Sequence, residues 1–133
     1  PGGALGKQLY LRVSDICNKT SKPQVKKDDT IKNVIIEISS KRLGATAIIE
    51  NNKIIGIITD GDLRRMLENN NNFSDLKAKD IMNSNPKIVN SNMMAIEALG
   101  LMREHNISQL LVTENEDYIG VIHLHDILKE GII

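Results

Sequence analysis

The chain repeats itself. "VSDIC" at 13–17 returns as "AKDIM" at 78–82, 65 positions on. "TAIIENNKIIGIITDGDL" at 46–63 returns as "QLLVTENEDYIGVIHLHDI" at 109–127, shifted by 63 before the hairpin and by 64 after it. A solenoid needs three or more copies of its unit to bury a continuous core; a unit of about 60 residues present twice points instead to a pseudo-symmetric pair.

Both halves follow one order of elements. A helix is expected where apolar residues recur at i, i+3, i+4 and i+7: Ile31, Val34, Ile35 and Ile38 in one half, Ala95, Ala98, Leu99 and Met102 in the other. Thr30 and Asn92 are the expected N-caps, and Gly44 and Asn106 the left-handed stops. Two β-branched runs follow in each half, "TAIIE" with "IIGIIT" and "QLLVT" with "YIGVIH", joined by polar turns as hairpins. Second helices are expected over 61–69 and 124–130, and extended segments in "KPQVKKD" and "MNSNPKIV" open the two units. The fold class is therefore α/β (α+β), two β-α-β-β-α repeats related by a pseudo-twofold, since one such unit cannot cover both faces of its sheet. That pairing implies a cleft with the strand-to-helix joints, 59–62 and 123–126, at related places along it. The expected boundaries are a tail at 1–12, domains at 13–70 and 78–133, and a polar linker at 71–77 held to the surface by Phe73 and Leu76.

Composition narrows the function. Seventeen basic residues balance seventeen acidic ones, which leaves no general field for nucleic acid or an anionic membrane. Aromatic residues make up 2% of the chain, too few for a base-stacking platform, so the core must be aliphatic. No apolar run approaches the roughly 18 residues that span a bilayer. Cys17 stands where the repeat has Met82, which makes it a packing residue, and a lone cysteine suits a reducing, cytoplasmic setting. The opening "PGGALGK" lacks the glycine spacing and the Ser or Thr of a phosphate-binding loop. With no initiator Met, it is expected to be a cut inside a longer protein.

"GIITDGDL" and "GVIHLHDI", ending the paired strands of the two halves, resemble the motifs of a tandem pair of cystathionine-β-synthase (CBS) domains, a Bateman module. The resemblance covers 13–130. "PGGALGK", "TDGDLRR" at 59–65 and "HLHDILKEGI" at 123–132 are further similar to the C-terminal half of the arabinose-5-phosphate isomerase (SIS–CBS) family, whose members feed Kdo and lipopolysaccharide synthesis. In that family "PGGALG" closes the catalytic sugar-isomerase (SIS) domain. The resemblance thus implies no catalytic residues here, and as partners the chain's own SIS domain, a second copy of the module and a small nucleotide-type effector. It implies no cofactor, and as regulatory ligand an adenine nucleotide or, by pathway logic, CMP-Kdo.

The family motif, a Thr or Ser followed three positions later by Asp, falls on Thr59 and Asp62. In the second half Asp126 matches, but His123 replaces the hydroxyl residue. A carboxylate at Asp62 can accept from both cis hydroxyls of a ribose, Thr59 can bond a sugar or phosphate oxygen, and Arg64 and Arg65 lie one turn further on. The same Thr-x-x-Asp spacing is also that of a capping box, so both readings stand at the level of sequence. By the resemblance Val25, Lys26, Lys87 and Ile88 edge the base, although their segments read equally as ordinary edge strands with solvated lysines, and Ala45, Thr46, Ser108 and Gln109 are expected to border the same pockets. His123 either lines the cleft or packs as a neutral imidazole. If the strand continues past it, His125 points to the opposite side, so the pair is not expected to share a metal. The rival to ligand sensing is a structural dimerisation module whose cleft stays empty.

Overall fold

The computed structural model describes Gly6 and Tyr10–Ile132. Most of "PGGALGK" and of the expected tail lies outside those residues. The elements run α1 (Val13–Ile16), β1 (Gln24–Val25), α2 (Ile31–Lys41), β2 (Ala45–Glu50), β3 (Lys53–Thr59) and α3 (Asp60–Asn69), then α4 (Ala78–Ile81), β4 (Ile88–Asn90), α5 (Ala95–His105), β5 (Gln109–Glu114), β6 (Asp117–His123) and α6 (Leu124–Leu128). They form two three-stranded mixed sheets, ordered β1-β2-β3 and β4-β5-β6. In each the first pair is parallel and the second antiparallel.

The compact units are 22–86 on one side and 1–21 with 87–133 on the other. The short helices α1 and α4, four residues each, therefore pack with the sheet encoded by the other repeat. Neither was anticipated from sequence, because four residues are too few to show a period. Next to α4, Asn83 and Ile57 exchange N–H···O bonds of 2.9 and 3.0 Å. Next to α1, Asn18 bridges to Val121 in the same antiparallel sense.

Those bridges explain two glycines. A Cβ on Gly56 would sit 2.6 Å from Met82 Sδ and 3.1 Å from the Asn83 carbonyl oxygen. On Gly120, at φ 154°, it would sit 3.0 Å from the Asn18 carbonyl and 3.1 Å from Cys17 Sγ. Cys17 and Met82 do occupy equivalent places. The thiol is buried beside the Val121 carbonyl, and burial pushes its pKa up to about 11, so it is a poor nucleophile.

The cores are aliphatic, as the composition requires. Val25, Val34, Ile38, Ile48, Ile58 and Ala78 fill one. Val13, Val89, Leu99, Met102, Leu110, Val112, Ile122 and Ile127 are among those filling the other. Thr30 caps α2 by accepting the Asn33 N–H at 3.2 Å, and Asn106 ends α5 at φ 54°. Two expected caps differ. Arg42, at φ 62°, ends α2 ahead of Gly44, its N–H reaching the Ile38 carbonyl. Asn92 is not the α5 cap: Met94 is, and the first helical N–H, from Ala95, is taken by the Leu11 carbonyl.

The hairpins correct the sequence alignment of the halves. Each turns through two left-handed residues, Asn51-Asn52 and Asn115-Glu116, and each has its irregularity at the same rung, Ile48/Ile49 and Val112/Thr113. The two are equal in length, so one shift of 64 covers both arms, and Ala45 corresponds to Gln109 rather than to Ser108. On the edge strands Val25 corresponds to Val89, both buried, while Ile88 corresponds to Gln24 and is exposed.

These packing relations fix an expected contrast between two glycine substitutions. Gly120→Ala should cost about 1–3 kcal/mol through backbone strain and the clash with Asn18. Gly100→Ala, on α5 with nothing within 4 Å of the added methyl, should stabilise by about 0.5–1 kcal/mol. Urea denaturation of both variants reads the difference directly.

Candidate functional site

In the 22–86 unit the site is built where β3 runs into α3. Ala45 and Thr59 are cross-strand partners on the last rung of the β2–β3 hairpin. Just beyond them the Asp60 N–H donates to the Gly44 carbonyl at 3.0 Å. That bond turns the chain out of the strand and starts the helix at a fixed place. Thr59, still extended at φ −110°, is the N-cap.

The capping box is complete. The Thr59 N–H and hydroxyl both donate to Asp62 Oδ2, at 2.9 and 3.1 Å, and the Asp62 N–H donates back to Thr59 Oγ1 at 3.3 Å. The other carboxylate oxygen, Oδ1, accepts from Arg65 Nη2 at 2.6 Å. Asp62 keeps 16% of its side-chain surface exposed and Arg65 keeps 62%. The carboxylate is thus held by its cap through Oδ2 and by Arg65 through Oδ1.

The partner of Asp62 is Arg65, whereas Arg64 is exposed. The sequence puts both arginines one turn past the joint and pairs neither with Asp62. The available signal was spacing: i and i+3 are neighbours on a helix, and i and i+2 are not.

The expected lining residues divide. Ala45 and Thr46 are fully buried beside the joint, the Thr46 hydroxyl bonding the Ala47 carbonyl at 3.2 Å. Val25 pairs with Ile48, three residues along β2 from Ala45, so roughly 10 Å away at strand rise. Lys26 lies still further, and together with Val25 it lines a pocket of about 390 Å³ with Gln24, Asp29, Ile49, Asn51 and Asn52, at the turn end of the hairpin.

The 1–21/87–133 unit repeats the joint with altered chemistry. Gln109 pairs with His123, and the Leu124 N–H donates to the Ser108 carbonyl at 2.8 Å. The His123 N–H donates to Asp126 Oδ2 at 3.1 Å, and His123 Nδ1 accepts the His125 N–H at 3.0 Å. The imidazole therefore caps as the hydroxyl of Thr59 does, which requires Nδ1 unprotonated and its proton on Nε2. The strand ends at His123, so His125 begins a helical turn and does not point to the opposite side. Their rings stack, centroids 4.9 Å apart and 12° from parallel. Among the described residues no three His, Cys, Asp or Glu side chains converge as a metal site would require. Lys87 and Ile88 are exposed, with the Lys87 carbonyl accepting from the Leu111 N–H at 3.2 Å.

Burial, and then the neighbouring His125, hold the His123 pKa below the ordinary imidazole value near 6.5, against an opposing pull from Asp126. A base with a depressed folded pKa stabilises the fold above its unfolded pKa and loses that contribution as the pH falls. Stability should therefore decline from about pH 6.5 downward, as protonation also removes the Nδ1 acceptor. His123→Thr, the residue its counterpart Thr59 provides, should flatten the decline. Urea midpoints at pH 7.5 and 5.5 for both proteins measure it.

Comparison with known proteins agrees with this geometry. The family model for the CBS domain matches twice, at 13–69 and 78–132. Arabinose 5-phosphate isomerase KdsD of Yersinia pestis is 40% identical over the whole chain, which spans 41% of that relative's length. The Francisella tularensis counterpart is 42% identical over 97% of the chain and 40% of its own length. A CBS domain protein of Pyrobaculum aerophilum, solved with AMP, superposes with a TM-score of 0.80 at 23% identity, covering 91% of this chain and 98% of that one. The CBS domain of a bacterial CNNM/CorC family Mg2+ transporter, solved with ATP, gives 0.78 at 18% identity, covering 97% and 93%. The chain belongs to the CBS domain family, as a tandem pair matching the corresponding 41% of KdsD.

Proposed function

We propose that the chain is the regulatory, nucleotide-sensing part of an arabinose-5-phosphate isomerase, and that its primary ligand site is the Thr59–Asp62 joint. The observation that carries this reading is Asp62 Oδ1, the oxygen that the cap leaves to the largely exposed Arg65, on a carboxylate whose other oxygen is fixed by the Thr59 N–H and hydroxyl. A preset acceptor at the edge of a strand-to-helix turn suits the cis hydroxyls of a ribose, and the amides opening a ten-residue helix favour its phosphate. AMP and ATP in structures of similar fold point the same way. A nucleotide sugar such as CMP-Kdo offers the same ribose and phosphate groups.

The whole protein would interconvert ribulose 5-phosphate and arabinose 5-phosphate on a SIS domain, in the cytoplasm, with this module reporting effector levels to it. Exposed Ile36 and Leu67, each 54% accessible, offer apolar helix surface for pairing with a second copy. The expected domain limits, 13–70 and 78–133, remain the proposed evolutionary units. The compact units instead exchange α1 and α4.

The competing reading is a cap without a ligand, because the capping box alone accounts for Asp62 Oδ2. Asp62→Asn separates the two. The amide oxygen can still accept the Thr59 N–H, so the melting temperature should hardly move, while the charge offered to the ribose is gone. A charge-assisted bond contributes roughly 1.5–3 kcal/mol, so AMP affinity should fall about ten- to a hundredfold. Asp126→Asn should matter less. Isothermal titration with AMP alongside melting curves decides it: unchanged affinity in Asp62→Asn would leave only the cap.

A further inference from the structure

We infer that Arg65 is an anion-operated latch on Asp62, which makes the site selective for phosphorylated nucleosides over uncharged ones. The inference rests on the nucleotide reading of the Thr59–Asp62 joint and specifies how that site discriminates.

Three features carry it. The guanidinium holds the one carboxylate oxygen that the cap leaves available, through the 2.6 Å Nη2–Oδ1 contact. It also folds back across the first turn of α3: a methyl on Gly61 would lie 3.5 Å from Nη1 and 3.7 Å from Nη2. Arg65 therefore covers both Oδ1 and the ground beside the opening amides. Finally, Arg65 is largely exposed, so the pair is screened and the side chain can be drawn away easily. An uncharged nucleoside must compete with the guanidinium for Oδ1 and gives it nothing in return. A phosphate offers the guanidinium a new bidentate partner, the geometry arginine favours, and releases Oδ1 to the ribose hydroxyls in the same movement.

The second joint lacks the device. Lys129 stands at the position corresponding to Arg65, but it is the C-cap of α6, which ends at Leu128, and lysine has no fork to exchange between two acceptors.

The test is calorimetric titration of AMP and of adenosine into wild type, Arg65→Ala, Arg65→Lys and Arg64→Ala, each checked for an unchanged melting curve. Wild type should prefer AMP by at least about tenfold, the scale of one charge-assisted interaction. Arg65→Ala should bring the ratio to within about threefold, with AMP weakened and adenosine held or strengthened by up to about fivefold as Oδ1 is uncovered. Arg65→Lys should fall between, and Arg64→Ala should keep the wild-type ratio. An unchanged ratio in Arg65→Ala, equal weakening of both ligands, or the same effect from Arg64→Ala would overturn the latch and leave nucleotide binding intact. Wild type that binds neither compound at millimolar concentration would overturn the nucleotide reading, and the latch with it.

Discussion

Everything in this chain hangs on the close approach of a backbone segment to a glycine on the outer strand of each sheet. Asn83 runs against Gly56 and Ile57, and Asn18 against Gly120 and Val121, at distances that leave no room for a side chain. Each contact extends a three-stranded sheet by one bridge and holds a short helix beside it. Through that contact the chain crosses from one repeat to the sheet of the other. Larger residues at the two glycines would separate α4 and α1 from the cores that Ala78 and Val13 help to fill.

The same economy governs the strand-to-helix joints. A capping box and a binding carboxylate are usually weighed as alternatives, but at Thr59 and Asp62 the cap occupies only one carboxylate oxygen, so the two readings are compatible. The hydrogen bonds that terminate β3 and open α3 fix the carboxylate in one orientation, with its second oxygen turned to Arg65. At His123 the cap is kept and the rest is changed. Imidazole accepts the helix N–H as a hydroxyl would, yet it adds a ring stacked on His125 and a titration that Thr59 does not have. The two joints share a scaffold while presenting different surfaces.

What was legible in the sequence was whatever depends on neighbours in the chain. The spacing of Ile31, Val34 and Ile38 gave the buried face of α2, and alternating β-branched runs around polar turns gave both hairpins. The Thr-x-x-Asp spacing marked the joint. What was hidden depends on distant partners or on single turns of geometry. Four-residue helices have no period, and nothing local in "VSDIC" reveals that it packs against β6. Asn92 looked like a cap until the Leu11 carbonyl supplied what the helix needed from 84 positions away. The offset of the halves was misjudged by one in the first arm because β-strand residues there are chemically alike, and only the cross-strand rungs distinguish Ala45 from Thr46. The expected helix over 124–130 takes in His125, but the stacking of its ring on His123 depends on side-chain geometry that spacing does not show.

The exchange of α1 and α4 has a consequence for the order in which the molecule can be completed on the ribosome. Residues 22–86 form an uninterrupted unit and can close as soon as Asn83 has emerged. The other unit must wait for the last strand, since the Cys17 thiol meets the Val121 carbonyl across 104 positions of chain. Closing so long a loop is slow, although each doubling of length adds only about 0.6 kcal/mol of entropy cost. During that wait Val13 and the apolar side of α1 have no core to enter. The 22–86 unit is thus finished first and lies in sequence between the two pieces of the other, so a truncation that spares 22–86 should leave a folded remnant with α1 unpartnered.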